Sequence, residues 1–291
     1  MKKKKHLISV IIPVFKNVNY LKNSLKSVIN QTYKNIEILV INDGNAPKDV
    51  KEIKDIIFLF KKKIKLLSIK KNNGVSNALN LGIKKSKGEY IAWLSHDDFF
   101  LKNKLKKQIS LMIKKNYHIS SCDFYTSNQN KLKKKSLPHD YYRDFKTSLF
   151  LFDKLHGCSL LIKKSCFRDH GYFNIKLKHA QDYDMWLRLA NRYDIFHINE
   201  PLLVSQVHYG QNSILFKDEA KLEKQFFYCQ YLKKNQNILN DLNIKKIFIF
   251  FIFNIYRKFY LLNKIFLEKI ILKRKNKFLY KILYFINNQF I

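Results

Sequence analysis

The chain has 291 residues, enough for one large domain or for a domain with an appendage. Its formal net charge is +34, a value typical of proteins that bind nucleic acid or an anionic membrane. Nearly all of this charge is lysine, whereas proteins that read bases or phosphates use the bidentate contacts of arginine. We therefore expect no nucleic-acid partner. Biased nucleotide composition and attraction to anionic membranes remain as explanations of the charge.

Three features of the sequence favour a cytoplasmic protein. The first residues, MKKKKHLISVIIPVF, imitate a signal peptide but have no small-residue cleavage site, so we interpret them as leading into a buried strand. The cysteines show no C-x-x-C pair and no metal-ligand spacing, which predicts reduced thiols. The longest late apolar run, residues 247–256, is about half of the roughly 20 residues that span a bilayer. The sequence predicts no transmembrane helix.

The first hundred residues predict strands that alternate with helices. The strands are LISVIIPVF, IEILVIND, IKLLSI and EYIAWL, and their near-continuous apolar runs are typical of parallel sheets. The helices between them are NVNYLKNSLKSVINQT, PKDVKEIKDIIFLF and GVSNALNLGIKK. This order predicts an α/β fold with a doubly wound, mixed and mostly parallel sheet.

The alternation fades after residue 100. The sequence predicts, in order, the helix LKNKLKKQISLMIKKN, the strand ISSCDFYTS, a mobile loop over residues 128–143, a strand and helix in GCSLLIKKSCF, the helix QDYDMWLRLANRY and the strand LLVSQVHYGQNS. From residue 216 the chain is a lysine-rich amphipathic pattern. We predict one domain over residues 1–215 and a C-terminal helical extension over residues 216–291.

Polar residues follow the first four predicted strands, at positions 13–17, 42–45, 72–76 and 95–98. In a doubly wound sheet these positions share one edge, and ligands collect at the carboxyl ends of the strands. A single Asp after a strand is more often a turn or cap residue. The prediction of a ligand site therefore depends on all four polar strand ends lying at the same edge. The adjacent acids Asp97 and Asp98 are costly to bury unless a cation meets them.

Five segments resemble, in the same order, the family 2 inverting glycosyltransferases. They cover about residues 7–213 and read SVIIPVFKNVNYLKNSLKSVINQTYKNIEILVINDG, NNGVSNALNLGIKKSKGEYIAWLSHDD, HGCSLLIKKSCFRDHGYF, QDYDMWLRL and VHYGQNS. The resemblance implies the GT-A fold, which is Rossmann-like, and transfer of a sugar from a nucleoside diphosphate-sugar, with UDP-sugar as the expected donor. The expected acceptor is a hydroxyl of a glycan or a lipid-linked sugar. Donor binding is expected in residues 1–100 and the acceptor side in residues 101–215.

The resemblance also implies roles at the first two strand ends. Pro13, Val14 and Phe15 are expected beside the nucleobase. Asp43 is expected to accept a hydrogen bond from the base, at a place where the family often has two acids and this chain has Asn42 first. The alternative for Asp43 is a simple turn residue.

The segment NNGVSNALN resembles the donor loop of the family. Gly74 would let the backbone approach the nucleotide closely. Asn73 and Ser76 either bind the donor or cap the following helix.

The segment SHDD stands where the family has its D-x-D motif. The resemblance implies that Asp97 and Asp98 hold Mg²⁺ or Mn²⁺ against the donor diphosphate. Ser95 replaces the first acid and could bond a ribose hydroxyl, and His96 is interpreted as a spacer. His208 occupies a position from which related enzymes lend a histidine to the metal or diphosphate, with a structural role as the alternative.

The acidic motif QDYD implies that Asp182 is the general base, with helix capping as the alternative. Asp184 is expected to cap the helix or to pair with Arg188 at i+4. Trp186 is expected to pack in the core, with lining of the acceptor pocket as the alternative. Residues 156–159, HGCS, are expected to shape the donor-sugar or acceptor side of the cleft.

Two other functions stay open from the sequence. The missing acid at Ser95 allows a catalytically inactive scaffold, and the charge alone allows a basic nucleic-acid-binding protein. For residues 216–291 we expect a peripheral contact with an anionic membrane at the inner face of the cell, with a packing arm or dimer contact as the alternative.

Overall fold

The computed structural model describes residues 6–60, 64–128, 131–136, 149 and 155–234. Its strands are β1 Ile8–Val14, β2 Ile36–Asp43, β3 Ile64–Ile69, β4 Tyr90–Trp93, β5 Phe99–Phe100, β6 Ile119–Asn128, β7 Lys131–Lys135, β8 Leu161–Lys163 and β9 Ile195–Gln206. Its α-helices are α1 Leu21–Ile29, α2 Pro47–Phe58, α3 Val75–Lys85, α4 Lys104–Lys115, α5 Lys164–His170, α6 Gln181–Ala190, α7 Asn212–Leu215 and α8 Lys217–Lys234. Contacts group Met1–Gln236 as one compact unit and Asn237–Ile291 as another.

The described strands form one sheet in the order β3-β2-β1-β4-β8-β6-β9-β5, with β7 paired to β6. Strands β3, β2, β1 and β4 are mutually parallel, as their apolar runs predicted. All seven residues of β1 are buried, because helices cover both faces of a sheet of this kind. The predicted α/β sheet is confirmed.

The second half of the sheet brings further chain ends to the same edge. Strand β8 is antiparallel to both β4 and β6, and β9 is parallel to β6. The carboxyl end of β9 therefore lies at the edge where β1, β2, β3 and β4 end. The segment that leads into β8 starts from that edge as well. These directions position the candidate site.

Two boundaries differ from the sequence prediction. Residues 131–135, expected in a mobile loop, form the exposed strand β7 against β6, and residues 137–148 lie outside the described part. Strand β9 begins at Ile195, well before the predicted start at Leu202, because its first residues pair with β6. Strand β7 consists mainly of lysines, and the first residues of β9 are partly exposed. Neither segment contains an apolar run, so the periodicity of apolar residues does not predict it.

Helix α8, Lys217–Lys234, falls in the same compact unit as the residues before it, past the predicted domain boundary at residue 215. The remaining residues of the predicted extension lie outside the described part. The apolar run at residues 247–256 also lies outside it. Among the residues that the structure describes, no helix has the length and apolar character needed to cross a bilayer. Among the described residues, Cys122, Cys158 and Cys166 are free and buried.

Candidate active site

The first part of the site joins the ends of β1 and β2. Pro13 and Val14 end β1 and are buried, and Phe15 follows half-buried. The Asn45 side-chain amide donates to the Val14 carbonyl at 2.8 Å, and its Oδ1 accepts from the Lys16 N–H at 2.7 Å. The loop after β2 is thereby fastened to the loop after β1, at the predicted nucleobase position.

Asp43 joins the ends of β2 and β3. Its carboxyl is 3% exposed and accepts hydrogen bonds from the Asn73 N–H at 3.4 Å and from Asn72 Nδ2 at 3.3 Å. Burial raises the pKa of Asp43, and the bond from Asn73 offsets part of that rise. The following Gly44 has φ +72°, which glycine adopts without strain. Asp43 therefore does more than form a turn, because it holds the predicted donor loop in place.

Gly74 directly precedes helix α3 and has φ +85°. A Cβ at Gly74 would meet no heavy atom within 4 Å, so the backbone there faces open space, as close approach of a ligand requires. Gly74 is itself the N-cap, and Ser76 Oγ is buried without a hydrogen-bond partner in the described chain. The capping alternative for Asn73 and Ser76 is therefore wrong.

The ends of β4 and β9 meet through Asp97 and His208. His208 Nε2 donates to Asp97 Oδ2 at 3.0 Å, and the Gln211 side-chain amide donates to the same oxygen at 3.1 Å. The Asp97 and His208 side chains are 13% and 19% exposed. The His208 ring stacks on Tyr20, with centroids 4.7 Å apart. A carboxylate and an imidazole thus stand together, partly open to solvent, at the edge where the strands end.

Asp98 faces a different cluster. It is 3% exposed, and its Oδ1 accepts from the Gln206 N–H at 3.0 Å while Oδ2 lies 3.6 Å from His156 Nε2. His156 Nε2 also lies 3.2 Å from Ser205 Oγ, and its Nδ1 accepts from the Cys158 N–H at 3.2 Å. Because Nδ1 accepts, the ring proton is on Nε2. The predicted ligands Asp97, Asp98 and His208 are therefore divided between two clusters.

The Asp98 cluster favours uncharged groups. Burial raises the pKa of Asp98 well above its ordinary value, and the neighbouring Asp97 adds to the rise. Burial likewise raises the pKa of the Cys158 thiol and lowers that of His156. Ser95, placed where the family has an acid, lies 3.5 Å from Cys158 Sγ through its hydroxyl. Ser95 is thus bound to a neutral thiol on its inner side.

The ligand atoms of Asp98, His156 and Cys158 lie within 4.8 Å of one another, a contact that cysteine spacing did not indicate. This set is too buried to share an ion with a diphosphate, since Asp98 and Cys158 are 3% and 1% exposed. The Asp97 and His208 pair fits such an ion better, because it is partly open and offers one oxygen and one nitrogen ligand.

Asp182 lies in the first turn of α6, and its Oδ1 accepts from the Tyr183 N–H at 2.9 Å. The predicted pair of Asp184 and Arg188 is confirmed, at 2.8 Å. Trp186 is 2% exposed, so the prediction that it packs in the core is also confirmed.

Helix α6 is tied to the donor side by Phe173. Asn80 on α3 donates to the Phe173 carbonyl and accepts from its N–H, both at 2.9 Å. The Phe173 ring makes edge contacts with Trp93, which ends β4, and with Trp186 on α6. Gly157 packs on Trp93, where a Cβ would lie 2.4 Å from the ring. The segment 156–159 is therefore packed against the end of β4, and the helix of Asp182 is connected to that strand end through Phe173.

Comparison with known sequences identifies the family. The profile described as glycosyl transferase family 2 matches residues 9–169. The chain belongs to this family. An uncharacterized glycosyltransferase of Rickettsia typhi is 36% identical over 238 residues, which cover 78% of this chain and 72% of the relative. The Escherichia coli enzyme UDP-Glc:alpha-D-GlcNAc-diphosphoundecaprenol beta-1,3-glucosyltransferase is 28% identical over 229 residues, which cover 76% of this chain and 84% of that protein.

Solved structures show the same fold at lower identity. S. aureus TarS 1-349 in complex with UDP-GlcNAc has a TM-score of 0.59 and 17% identity, over 70% of this chain and 60% of that chain. The mannosyltransferase PcManGT of Pyrobaculum calidifontis, in complex with GDP-Man and Mn²⁺, has a TM-score of 0.57 and 16% identity, over 72% of this chain and 59% of that chain. The predicted GT-A fold of this glycosyltransferase is confirmed.

The individual contacts of some site residues were not predicted from the sequence, although these residues lie in segments that were expected at the site. Asn45, Asn72 and Gln211 connect strand ends by side-chain hydrogen bonds, and His156 links Cys158 to the end of β9. Asn and Gln after strands are common turn residues, so no spacing in the sequence distinguishes these contacts. Their partners lie many residues away along the chain.

Proposed function

We propose that this glycosyltransferase moves a sugar from a UDP-sugar to a hydroxyl of a glycan or lipid-linked acceptor, with inversion at the anomeric carbon. The observation that supports it best is the contact between Asp97 and His208, since it joins two strand ends at the ligand-binding edge of the sheet. The E. coli relative is named for a UDP-glucose donor and a diphosphoundecaprenol-linked acceptor, which supports this choice of substrates.

In the proposed mechanism Asp182 is the general base. It takes the proton of the acceptor hydroxyl while that oxygen forms a bond to the anomeric carbon. The bond from that carbon to the donor diphosphate breaks in the same displacement, and the diphosphate leaves with the electron pair. One displacement with one base inverts the configuration.

The donor is held by the strand ends in this proposal. Pro13, Val14 and Phe15 line the base, Asp43 accepts a hydrogen bond from it, and the donor loop with Asn73, Gly74 and Ser76 meets the nucleotide. Asp97 and His208 would hold a divalent ion, which supplies counter-charge to the leaving diphosphate. An imidazole in the set favours Mn²⁺ over Mg²⁺, because Mg²⁺ takes oxygen ligands. We assign the ion to this pair rather than to the more deeply buried Asp98.

A thermal-shift screen tests the donor and the ion together. UDP-glucose, UDP-GlcNAc and GDP-mannose are compared, each with Mg²⁺, with Mn²⁺ and with chelator, because a ligand that binds the folded state raises apparent stability. We expect a UDP-sugar with Mn²⁺ to give the largest rise in melting temperature. Equal shifts with chelator and with Mn²⁺ would contradict the metal assignment.

Substitution of the acids on α6 tests the base. We expect Asp182→Asn to lower kcat by roughly 100- to 10,000-fold while the KM of the donor changes little. The matched control is Asp184→Asn on the same helix, whose partner is Arg188 and which should keep most of the activity. Unchanged turnover in Asp182→Asn would show that another group is the base. The absence of turnover with every nucleotide-sugar would favour the inactive scaffold.

We also propose that residues 216–291 contact an anionic membrane through their lysines. The test compares the full chain with a chain that ends after Gln236, on vesicles of neutral lipid with and without an anionic lipid. This end point retains α8, which contacts the active-site side of the domain. The expected result is loss of pelleting with anionic vesicles in the shorter chain. Equal pelleting of both chains would refute a membrane role for residues 237–291.

A further inference from the structure

Three successive backbone N–H groups directly before helix α6 bind one carboxylate from helix α8. Glu223 Oε1 accepts from the Lys178 N–H at 2.8 Å, and Oε2 accepts from the Ala180 N–H at 2.9 Å and from the His179 N–H. The N-cap of α6 is Ala180, which offers no side-chain hydrogen bond of its own. A carboxylate is well suited to this place, because the N-terminus of a helix carries partial positive charge.

Further contacts join α8 and the residue before it to the start of α6. Lys224 Nζ lies 3.4 Å from the centroid of the Tyr183 ring, and the rings of His179 and Phe216 lie 5.8 Å apart. The contacts of residues 216, 223 and 224 therefore fall on residues 178–183. Asp182 stands within this short segment.

The position of the Asp182 carboxylate depends on the same backbone. Asp182 is two residues after Ala180, and its Oδ1 accepts from the Tyr183 N–H at 2.9 Å. A shift of the chain at residues 178–180 would carry the first turn of α6 with it. Displacements of about 1 Å can lower a rate by about 100-fold when reacting groups must be aligned.

Glu223 is also held in its charged form. Burial alone would raise the pKa of Glu223, but the N–H donors of Lys178, His179 and Ala180 together bring it below its ordinary value. The carboxylate therefore stays ionised across the neutral range, and its three hydrogen bonds are charge-assisted.

We propose that Glu223 is a positioning residue for sugar transfer, which fixes the backbone that carries Asp182 and makes helix Lys217–Lys234 part of the catalytic unit. The inference rests on the proposed role of Asp182 as the base. It assigns to α8 a role in catalysis that is separate from any membrane contact made by residues further along the chain.

The test compares Glu223→Gln with Glu219→Gln in the full-length chain. Both variants remove one negative charge from the same helix, one turn apart, and Glu219 is exposed. Turnover is followed as UDP release from the UDP-sugar that the thermal-shift screen selects, well below the melting temperature of each variant. We expect Glu223→Gln to lower kcat by roughly 10- to 100-fold with donor KM within about 2-fold, and Glu219→Gln to match the wild type.

A double-substitution cycle separates positioning from a purely structural role. If Glu223 acts through Asp182, then Glu223→Gln should cause little further loss in a chain that already carries Asp182→Asn. An equal fold loss in both backgrounds would overturn the proposal, as would a lower melting temperature with unchanged kcat. Failure of the base assignment is recognised separately, because Asp182→Asn alone would then keep its activity.

Discussion

Lys104 is a charged side chain without access to solvent, and the free-energy cost of burying its charge can be measured. It begins helix α4 and is 0% exposed. Nζ donates to the neutral amide oxygen of Gln108 at 2.6 Å and lies 4.4 Å from the centroid of the Phe100 ring. We predict that replacing Lys104 by methionine changes how the stability of the fold depends on pH.

Burial lowers the pKa of Lys104 from 10.5 to about 8. One pKa unit corresponds to about 1.4 kcal/mol, so the charged form costs roughly 3 kcal/mol at pH 7. The folded pKa is below the unfolded one, so the unfolded chain binds more protons between about pH 8 and pH 10.5. Stability therefore rises with pH through this window, and the cost falls by about 2 kcal/mol between pH 7 and pH 9.5.

The assay is urea unfolding of wild type, Lys104→Met and Lys106→Met at pH 7 and at pH 9.5. Lys106 is exposed on the same helix and serves as the matched control. We expect wild type and Lys106→Met to gain about 2 kcal/mol more than Lys104→Met over this pH interval. A parallel pH dependence in all three proteins would refute the low pKa. The absolute change in stability at pH 7 is less decisive, since methionine leaves Gln108 Oε1 without the donor that Lys104 supplies.

Two pairs of substitutions test the donor side of the site. Asp97→Asn should abolish the additional rise in melting temperature that Mn²⁺ gives in the presence of a UDP-sugar. Asp98→Asn should lower the melting temperature of the protein alone but keep the additional rise with Mn²⁺. Loss of the Mn²⁺ effect in Asp98→Asn and not in Asp97→Asn would place the ion at Asp98. Gly44→Ala should cost roughly 2 kcal/mol or more in urea unfolding, because its Cβ would lie 2.1 Å from the Asn72 nitrogen at φ +72°. Gly74→Ala should cost only about 1 kcal/mol, since open space surrounds it; equal losses would contradict this difference.

The sequence predicts well those helices and strands whose apolar pattern is contained within the segment itself. Strand β2 was expected as IEILVIND and extends over Ile36–Asp43, because a strand buried on both faces is an apolar run. Helix α6 was expected from its periodic apolar residues, and Met185, Trp186 and Leu189 are buried. Strand β7, with four lysines in five residues, has no such signal, and it forms because β6 offers it a partner.

The site also contains residues whose position follows from local sequence and residues whose role depends on contacts distant along the chain. Four polar strand ends could be placed at one edge, because parallel strands fix where their carboxyl ends lie. Glu223 could not be linked to Asp182 in this way. It lies on a lysine-rich helix 43 residues from Ala180, and an acid in the first turns of a surface helix is an ordinary feature.

Adjacent acids in the SHDD motif show why residue type alone does not assign a role. Asp97 and Asp98 are equivalent in the sequence, yet one contacts His208 at the edge where the strands end and the other contacts Gln206 in the interior. Strand β9 decides between them, because it presents a backbone N–H to Asp98 and, two residues further on, an imidazole to Asp97. The hydrogen bond from the Gln206 N–H to Asp98 holds the end of β9 against the SHDD motif. It thereby positions His208 beside Asp97. Substitution of Asp97 should therefore impair the reaction through a ligand of the ion, whereas Asp98→Asn, which keeps an acceptor oxygen for the Gln206 N–H, should act on the stability of the fold.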